Sequence, residues 1–263
     1  MFEEKLAAAA ELFRPRAAAR GIPPHEVEAF IARIRPAVHL AVEDGPLCVG
    51  RMGGAPMLPH DAPDPSLPFI FSIDCAALPA GATDLPMPPD GHLLFFAAVG
   101  VGGATGDAAT CYVPAGTPTG PRSSPEPSTM NTPYPERPLR VAGSGFSTSD
   151  GIDITEEAEE EEDVDDDEDP LVIAGVLGDE WGTLTEPESW VAMPIQLGGW
   201  HESDLPGILE KKEGDDWVDL ASWVCREDEA LESVAEFTTF IWAIRRQDLA
   251  ARRFDRVYGY QGP

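Results

Sequence analysis

Residues 92–99, His-Leu-Leu-Phe-Phe-Ala-Ala-Val, are the strongest candidate for a buried strand in this chain. A second β-rich run, Phe-Ile-Phe-Ser-Ile at 69–73, precedes it, and Asp90 and Gly91 supply a turn directly before it. Short apolar runs bounded by turn residues are typical of strands with both faces covered. The two runs therefore predict a folded body built around β-structure.

Other segments extend this pattern along the chain. Runs at 38–42, 217–224, 237–244 and 254–260 also predict strands. Residues 1–36 carry apolar side chains at helical spacing and predict two helices. Strands in runs, with helices at the beginning, predict an α+β fold with mainly antiparallel sheets and N-terminal helices.

The two halves of the chain share an order of features. Each half begins with a double glycine and continues with two β-rich runs: Gly53-Gly54, 69–73 and 93–97, then Gly198-Gly199, 217–224 and 237–244. A duplicated strand–connection–strand unit explains this order, and chance similarity between β-rich runs is the alternative. A duplication predicts a pseudo-two-fold body with a cleft at its seam, a common place for ligands.

The composition predicts a single domain over 1–263 with two excursions from it. Residues 114–138 contain eight prolines and predict a loop, because proline cannot donate to a central strand. Residues 147–169 predict a flexible acidic excursion, and 150–169 alone hold 14 acidic side chains and no basic one.

The charge narrows the classes of partner. The chain carries 47 acidic and 18 basic side chains, a net charge of −29. Without the acidic run, the remainder still carries about −15. This surface repels phosphate backbones and anionic membranes, so we expect neither nucleic acid nor a membrane as partner. It favours a cationic protein partner.

Cysteine usage and the N-terminus favour a reducing compartment. Cys48, Cys75, Cys111 and Cys225 are too far apart in sequence for a C-x-x-C redox or zinc pattern, and we expect them to be small core residues. No secretory signal is recognisable in the first residues, so we expect a cytoplasmic protein. No nucleotide-binding motif is present, and no cofactor is predicted.

No residue constellation specifies a reaction. Asp74 and Asp90 flank apolar strands, but strand-end caps and turns explain such positions. Two loops that follow the double glycines carry His-acid pairs, and surface loops with turn-forming acids are the alternative to a metal or carboxylate–His pocket. The candidate ligand-binding residues are Gly53, Gly54, His60, Asp61, Gly198, Gly199, Trp200 and His201, and no metal ligand set is predicted.

Five segments of the chain resemble the bacterial YwqG-like family of unknown function. Residues 49–59, Val-Gly-Arg-Met-Gly-Gly-Ala-Pro-Met-Leu-Pro, are similar to its G-G-x-P-x-L-P element. The segments at 68–74, 88–96, 197–200 and 240–257 resemble, in order, its strand with Ile-Asp, its Pro-Gly-x-Leu-x-Phe-Phe element, its Gly-aromatic element and its C-terminal Asp-Leu element. The resemblance implies an α+β fold in a bacterial cytosol and brings no activity, cofactor or catalytic residue.

The chain also departs from that family. Ser72 stands where the family usually has Gln, and its Trp-Pro is replaced around Ala62 and Pro63. The stretch at 114–170 looks like an extension of this member. These departures weaken any inference of a shared ligand.

Two main functions from different classes follow from the sequence, and a purely structural or stress-solubility role is a third possibility. The first is a non-catalytic binding or adaptor module for a protein partner, with toxin neutralisation as one example. The alternative is a small-molecule hydrolase with a carboxylate–His pocket, with or without a metal, for which His60, Asp61, His201 and Glu202 are the residues to test.

Overall fold

The computed structural model describes residues 2–42, 45–98, 107–126, 134–143, 145–148, 170–185, 195–200, 216–224 and 239–262. From residue 149 on, the predicted acidic excursion lies outside these ranges. So do Cys225, His201 and Glu202.

Four helices occur in the described ranges: α1 (Phe2–Ala19), α2 (Pro24–Arg33), α3 (Pro170–Thr185) and α4 (Arg246–Ala250). The first two are the predicted N-terminal helices. Pro24 opens α2, where a missing N–H removes no intrahelical bond. Phe13 of α1, Phe30 of α2 and Trp181 of α3 meet in one aromatic cluster that joins the three helices.

Ten strands form one antiparallel sheet, and four short strands form two small pairs. In chain order they are β1 (Arg35–Pro36), β2 (Val38–Val42), β3 (Leu47–Met52), β4 (Met57–Pro59), β5 (Phe69–Asp74), β6 (His92–Ala98), β7 (Asp107–Val113), β8 (Thr119–Pro121), β9 (Arg137–Ala142), β10 (Phe146–Ser147), β11 (Ile195–Leu197), β12 (Trp217–Val224), β13 (Thr239–Arg245) and β14 (Tyr258–Gly262). The predicted α+β class with antiparallel sheets and N-terminal helices is confirmed. The run at 254–260 is strand only from Tyr258 on, because Phe254–Arg256 form a 3-10 turn.

The large sheet contains two units of the same topology. Its strand order is β14-β13-β12-β11-β2-β9-β3-β5-β6-β7. The meander β3-β5-β6-β7, which we call the first unit, therefore has the same strand order as the meander β11-β12-β13-β14, the second unit. The seam between them lies where β2 pairs with β9. This arrangement has the pseudo-two-fold order that a duplicated unit predicts.

The sheet curls around a core supplied by both units. The end strands β7 and β14 lie against each other, although no backbone ladder joins them. Inside, Phe71 and Phe95 of the first unit stack with ring centroids 4.3 Å apart. Trp242 of the second unit meets both rings edge-on at 5.6 and 5.5 Å, and its Nε1 donates to the Phe96 carbonyl at 3.1 Å. The two units thus share one aromatic centre.

Candidate functional site

The two double-glycine corners have the same backbone geometry. Gly53 and Gly54 have φ of 64° and 73°, and Gly198 and Gly199 have φ of 64° and 76°. These left-handed values favour glycine over residues with a Cβ. Each corner directly follows the first strand of its unit, β3 or β11, and turns the chain towards the next strand.

Each corner is tied to the neighbouring strand in the same way. The Gly53 N–H donates to the Ile70 carbonyl at 2.7 Å, and the Gly198 N–H donates to the Leu220 carbonyl at 3.3 Å. Ile70 and Leu220 each sit where the strand register shifts by one residue. A β-bulge leaves one residue without a partner on the neighbouring strand. Here the N–H of the first glycine donates a hydrogen bond to the carbonyl of that residue.

A side chain two residues before each double glycine satisfies the carbonyls of the corner. The Arg51 guanidinium donates to the carbonyls of Gly53, at 2.8 Å, and Ala55. The Gln196 amide donates to the carbonyls of Gly198 and Trp200, at 2.9 and 2.7 Å. Both side chains therefore reach the carbonyls two and four residues ahead. The recurrence of this contact means that the double glycines have a structural role in both units.

The corners are also packed by other parts of the chain. A Cβ on Gly53 would lie 2.3 Å from the Pro135 carbonyl oxygen, and one on Gly199 would lie 2.6 Å from the Ser147 Cβ. Trp200 is held by its surroundings as well: its Nε1 donates to the Arg33 carbonyl at 2.7 Å, and the Arg35 guanidinium lies 3.5 Å from its ring centroid. Protein atoms therefore fill the space beside Gly53 and Gly199, and they use the Nε1 and one face of the Trp200 ring.

The two corners do not converge on one cleft. From β11 to β3 the sheet passes through β2 and β9, and every step is antiparallel. The strands β11 and β3 therefore run in opposite directions, and the double glycines that follow them lie at opposite ends of the strands of the sheet. This geometry does not form the cleft that the sequence predicts around Gly53-Gly54 and Gly198-Gly199.

The described part of the structure likewise does not bring the two His-acid pairs together. His60 and Asp61 are exposed in the loop after β4, where the His60 ring packs on Gly120 of β8. Their predicted counterparts His201 and Glu202 lie outside the described residues. Within the described ranges, no three His, Cys, Asp or Glu side chains are grouped to hold a metal ion.

An open cleft of about 280 Å3 lies instead on the outer face of the first unit. The pair β4–β8 stands over the strands β3, β5, β6 and β7 at this place. Apolar walls come from Met57, Leu94 and Val113, and polar groups come from Ser72, Asp74, His92 and Thr119. We refer to this feature as the outer cleft.

Among its described lining residues the outer cleft contains one cationic side chain, Arg51, and one carboxylate, Asp74, and they differ in how fully their hydrogen bonds are used. The Arg51 guanidinium is bound to the two corner carbonyls and to Glu136 at 3.1 Å. Asp74 lies opposite His92 in the β5–β6 ladder. One Asp74 oxygen accepts the Ala76 N–H at 3.0 Å. A carboxylate can accept several hydrogen bonds, so the cleft presents an acceptor for a cationic group.

A second carboxylate, Asp219, is buried on β12 of the other unit. Its side chain is only 7% exposed, and its Oδ1 has no hydrogen-bond partner among the described residues. Burial raises the pKa of Asp219 to about 7, and the nearby Arg35 guanidinium lowers that pKa only in part. Asp219 is the described carboxylate whose ionisation the fold opposes most strongly.

The cysteines behave differently from one another. Cys75 is buried, and burial raises the pKa of its thiol to about 12; Cys111 is partly buried, and its pKa is raised for the same reason. Both thiols are therefore poor nucleophiles at neutral pH. Cys48 is exposed on β3, so the expectation that it is a core residue is wrong. It lies at a bulge, where a side chain can leave the core face.

The sequence contained a signal for the outer cleft. Ser72 and Asp74 alternate with Ile73 on β5, and His92 interrupts the apolar pattern of β6 at its first position. Polar side chains at alternate positions of an otherwise apolar strand point to one face of the sheet. The covering pair β4–β8 could not be found this way, because its strands are three residues long and rich in proline.

Comparison with known proteins identifies a family but no activity. Residues 50–261 match the family model of a domain of unknown function, DUF1963. The match covers most of the chain, includes both double-glycine corners and begins after α1 and α2. A comparison with curated proteins found no match. In the described ranges no helix has the length and apolar character needed to cross a bilayer.

Proposed function

The chain belongs to the DUF1963 family, and from its geometry we propose that it is a non-catalytic binding module for a cationic protein partner. The outer cleft is its recognition site, and the occupant is a basic side chain of that partner. The observation that carries the proposal is an open, mostly apolar cleft that presents the Asp74 carboxylate while its own cation, Arg51, is already bound.

The cleft suits a lysine side chain in size and polarity. At about 280 Å3 it falls just below the range of roughly 300–1,000 Å3 typical of small-molecule pockets. A lysine side chain can lie over the floor formed by Leu94 and Val113, which are only 1% and 2% exposed, while its ammonium reaches Asp74. Met57, 40% exposed at the rim, adds a contact that adapts to the shape of its partner.

The charge of the whole molecule supports the same partner class. A net charge of −29 attracts a basic protein over several ångströms and speeds its association. A partly exposed ion pair adds only about 0.5–1 kcal/mol by itself. Affinity for a whole partner therefore requires surface contact around the cleft, and the cleft supplies selectivity for the basic residue.

A titration with a lysine mimic tests the proposal. N-acetyl-L-lysine methylamide is added to labelled protein while amide NMR shifts are followed, and the norleucine analogue serves as the uncharged control. We expect shifts concentrated at Ser72, Asp74, His92 and Thr119, with the norleucine analogue at least about threefold weaker. Equal responses to both compounds, or shifts scattered over the surface, would contradict the proposal.

Two charge-matched variants sharpen that titration. Asp74→Asn removes the carboxylate but keeps an oxygen that can accept the Ala76 N–H. Asp255→Asn removes the same charge from a side chain that is 79% exposed and outside the cleft. We expect the first variant to lose the preference for lysine over norleucine and the second to keep it.

Within the DUF1963 family we further propose a YwqG-like protein of the bacterial cytoplasm. The support is the five ordered segments, from the G-G-x-P-x-L-P element at 49–59 to the C-terminal element at 240–257. Both double-glycine corners fall within these segments.

A small-molecule hydrolase is the second candidate, and one observation favours it. Asp74 and His92 lie opposite each other at the outer cleft, and a carboxylate beside an imidazole can orient it as a general base. These are not the residues predicted for that activity. A screen of p-nitrophenyl esters and phosphates tests it: a hydrolase would lose activity in His92→Gln and keep it in His60→Gln.

A further inference from the structure

A second, smaller groove lies at the seam of the two units, beside β2 and β9. Its volume is about 130 Å3, and we call it the seam groove. Val38 of β2 and Val141 of β9 line it and also contact the core that the sheet encloses. The loop 79–82 closes one side, and the first turns of α1 form the rim. The groove thus opens at one mouth of the curled sheet, where β-barrels commonly bind ligands.

Small residues keep the seam groove open. Gly81, Gly143 and Gly145 line it with positive φ, and a Cβ on Gly81 would have no atom within 4 Å. Among the described residues that line the groove, most side chains larger than a methyl group are apolar. The apolar lining includes Phe2, Ala37, Val38, Ala82, Val141 and Ala142.

The seam groove has one charged group, and its sign is opposite to that of the molecule. Lys5 is the only ionisable side chain among the described residues that line it. It is exposed on α1 and forms no ion pair with another described residue. The acidic residues of the same turn, Glu3 and Glu4, do not line the groove. Lys5 therefore places a local positive charge at the rim of an apolar surface.

We propose that the seam groove binds a short aliphatic carboxylate, with its alkyl chain against the valines and its carboxylate at Lys5. A dry cavity of about 150 Å3 accommodates benzene, so this volume suits a chain of roughly four to six carbons. Each methylene that leaves water adds about fourfold to the affinity until the groove is full. The site is separate from the outer cleft and does not depend on it.

A chain-length series tests this proposal. Sodium acetate, butyrate, hexanoate and decanoate are titrated at constant sodium concentration, with hexanamide as the uncharged control, and amide NMR shifts at Val38, Ala82 and Ala142 are followed. We expect affinity to rise from acetate to butyrate or hexanoate and then level off. Hexanamide should bind more weakly than hexanoate.

Three variants assign the binding to the groove. Lys5→Gln should weaken hexanoate binding roughly two- to fivefold. Ala82→Leu should fill the space and abolish the shifts. Arg16→Gln removes the same charge from α1 outside the groove and should bind as the wild type does.

Three results would overturn the proposal: affinity independent of chain length, unchanged binding in Lys5→Gln, or tighter binding of the tripeptide Gly-Gly-Val than of hexanoate. If Ala82→Leu does not fold, the length series and the two charge variants still decide the question.

Discussion

At the scale of single residues, Asp219 shows how burial and charge compete. Its neighbour Arg35 favours the ionised carboxylate, but burial outweighs that attraction and raises its pKa to about 7. The sequence could not reveal this, because Asp219 occupies one of 47 acidic positions and its burial depends on strand packing. The local signal was an acidic residue inside the apolar run 217–224, two residues after Trp217.

The raised pKa of Asp219 predicts a pH dependence of stability. Since the folded state holds this proton more tightly than the unfolded state, the contribution of Asp219 to the free energy of unfolding falls as pH rises from about 4 to about 7. Asp219→Asn should be more stable than the wild type at pH 8, by up to about 4 kcal/mol, and the difference should shrink towards pH 4. Urea unfolding at several pH values measures this. A difference that is independent of pH, or one shared by exposed Asp255→Asn, would contradict it.

At the scale of elements, the sequence indicated where strands lie but not how they join. Apolar runs at 69–73, 92–99 and 217–224 predicted β5, β6 and β12 because these strands are covered on both faces along most of their length. The bulges at Ile70 and Leu220 were not predictable, since they depend on glycines far away in sequence. The same holds for Arg51 and Gln196, whose shared role appears only once both corners are folded.

The corners predict a contrast between two glycines with similar φ. Gly53→Ala places a Cβ 2.3 Å from a backbone oxygen, whereas Gly81→Ala meets no atom within 4 Å. Gly81→Ala should lose only the roughly 1–2 kcal/mol of left-handed strain, and Gly53→Ala should lose clearly more. Urea midpoints of the two variants provide the comparison. Equal losses of stability in the two variants would show that the close approach of backbone atoms is not the reason why Gly53 has to be glycine.

At the scale of the molecule, the two units depend on a common core. Trp242 of the second unit contacts Phe71 and Phe95 of the first, so neither unit closes its own aromatic centre. The double glycines suggested this repetition from the sequence. Their position at opposite ends of the strands of the sheet could not be inferred, because it follows from the three antiparallel pairings that lead from β11 through β2 and β9 to β3.

The shared core predicts one unfolding transition for both units. Trp242→Ala should lower stability by about 3–5 kcal/mol, because it removes ring contacts and the bond to the Phe96 carbonyl. Hydrogen exchange should speed up equally in β5–β6 and in β12–β13. Faster exchange confined to the second unit would show that the units unfold separately.

The proposed function rests on the outer cleft and its Asp74 carboxylate, which can accept hydrogen bonds besides the one from the Ala76 N–H. The most direct measurement is a set of intermolecular NOEs between the methylenes of N-acetyl-L-lysine methylamide and the protein. We expect NOEs to the methyl groups of Leu94 and Val113, with the lysine ammonium next to Asp74. NOEs to other surfaces, with none to these two residues, would contradict it.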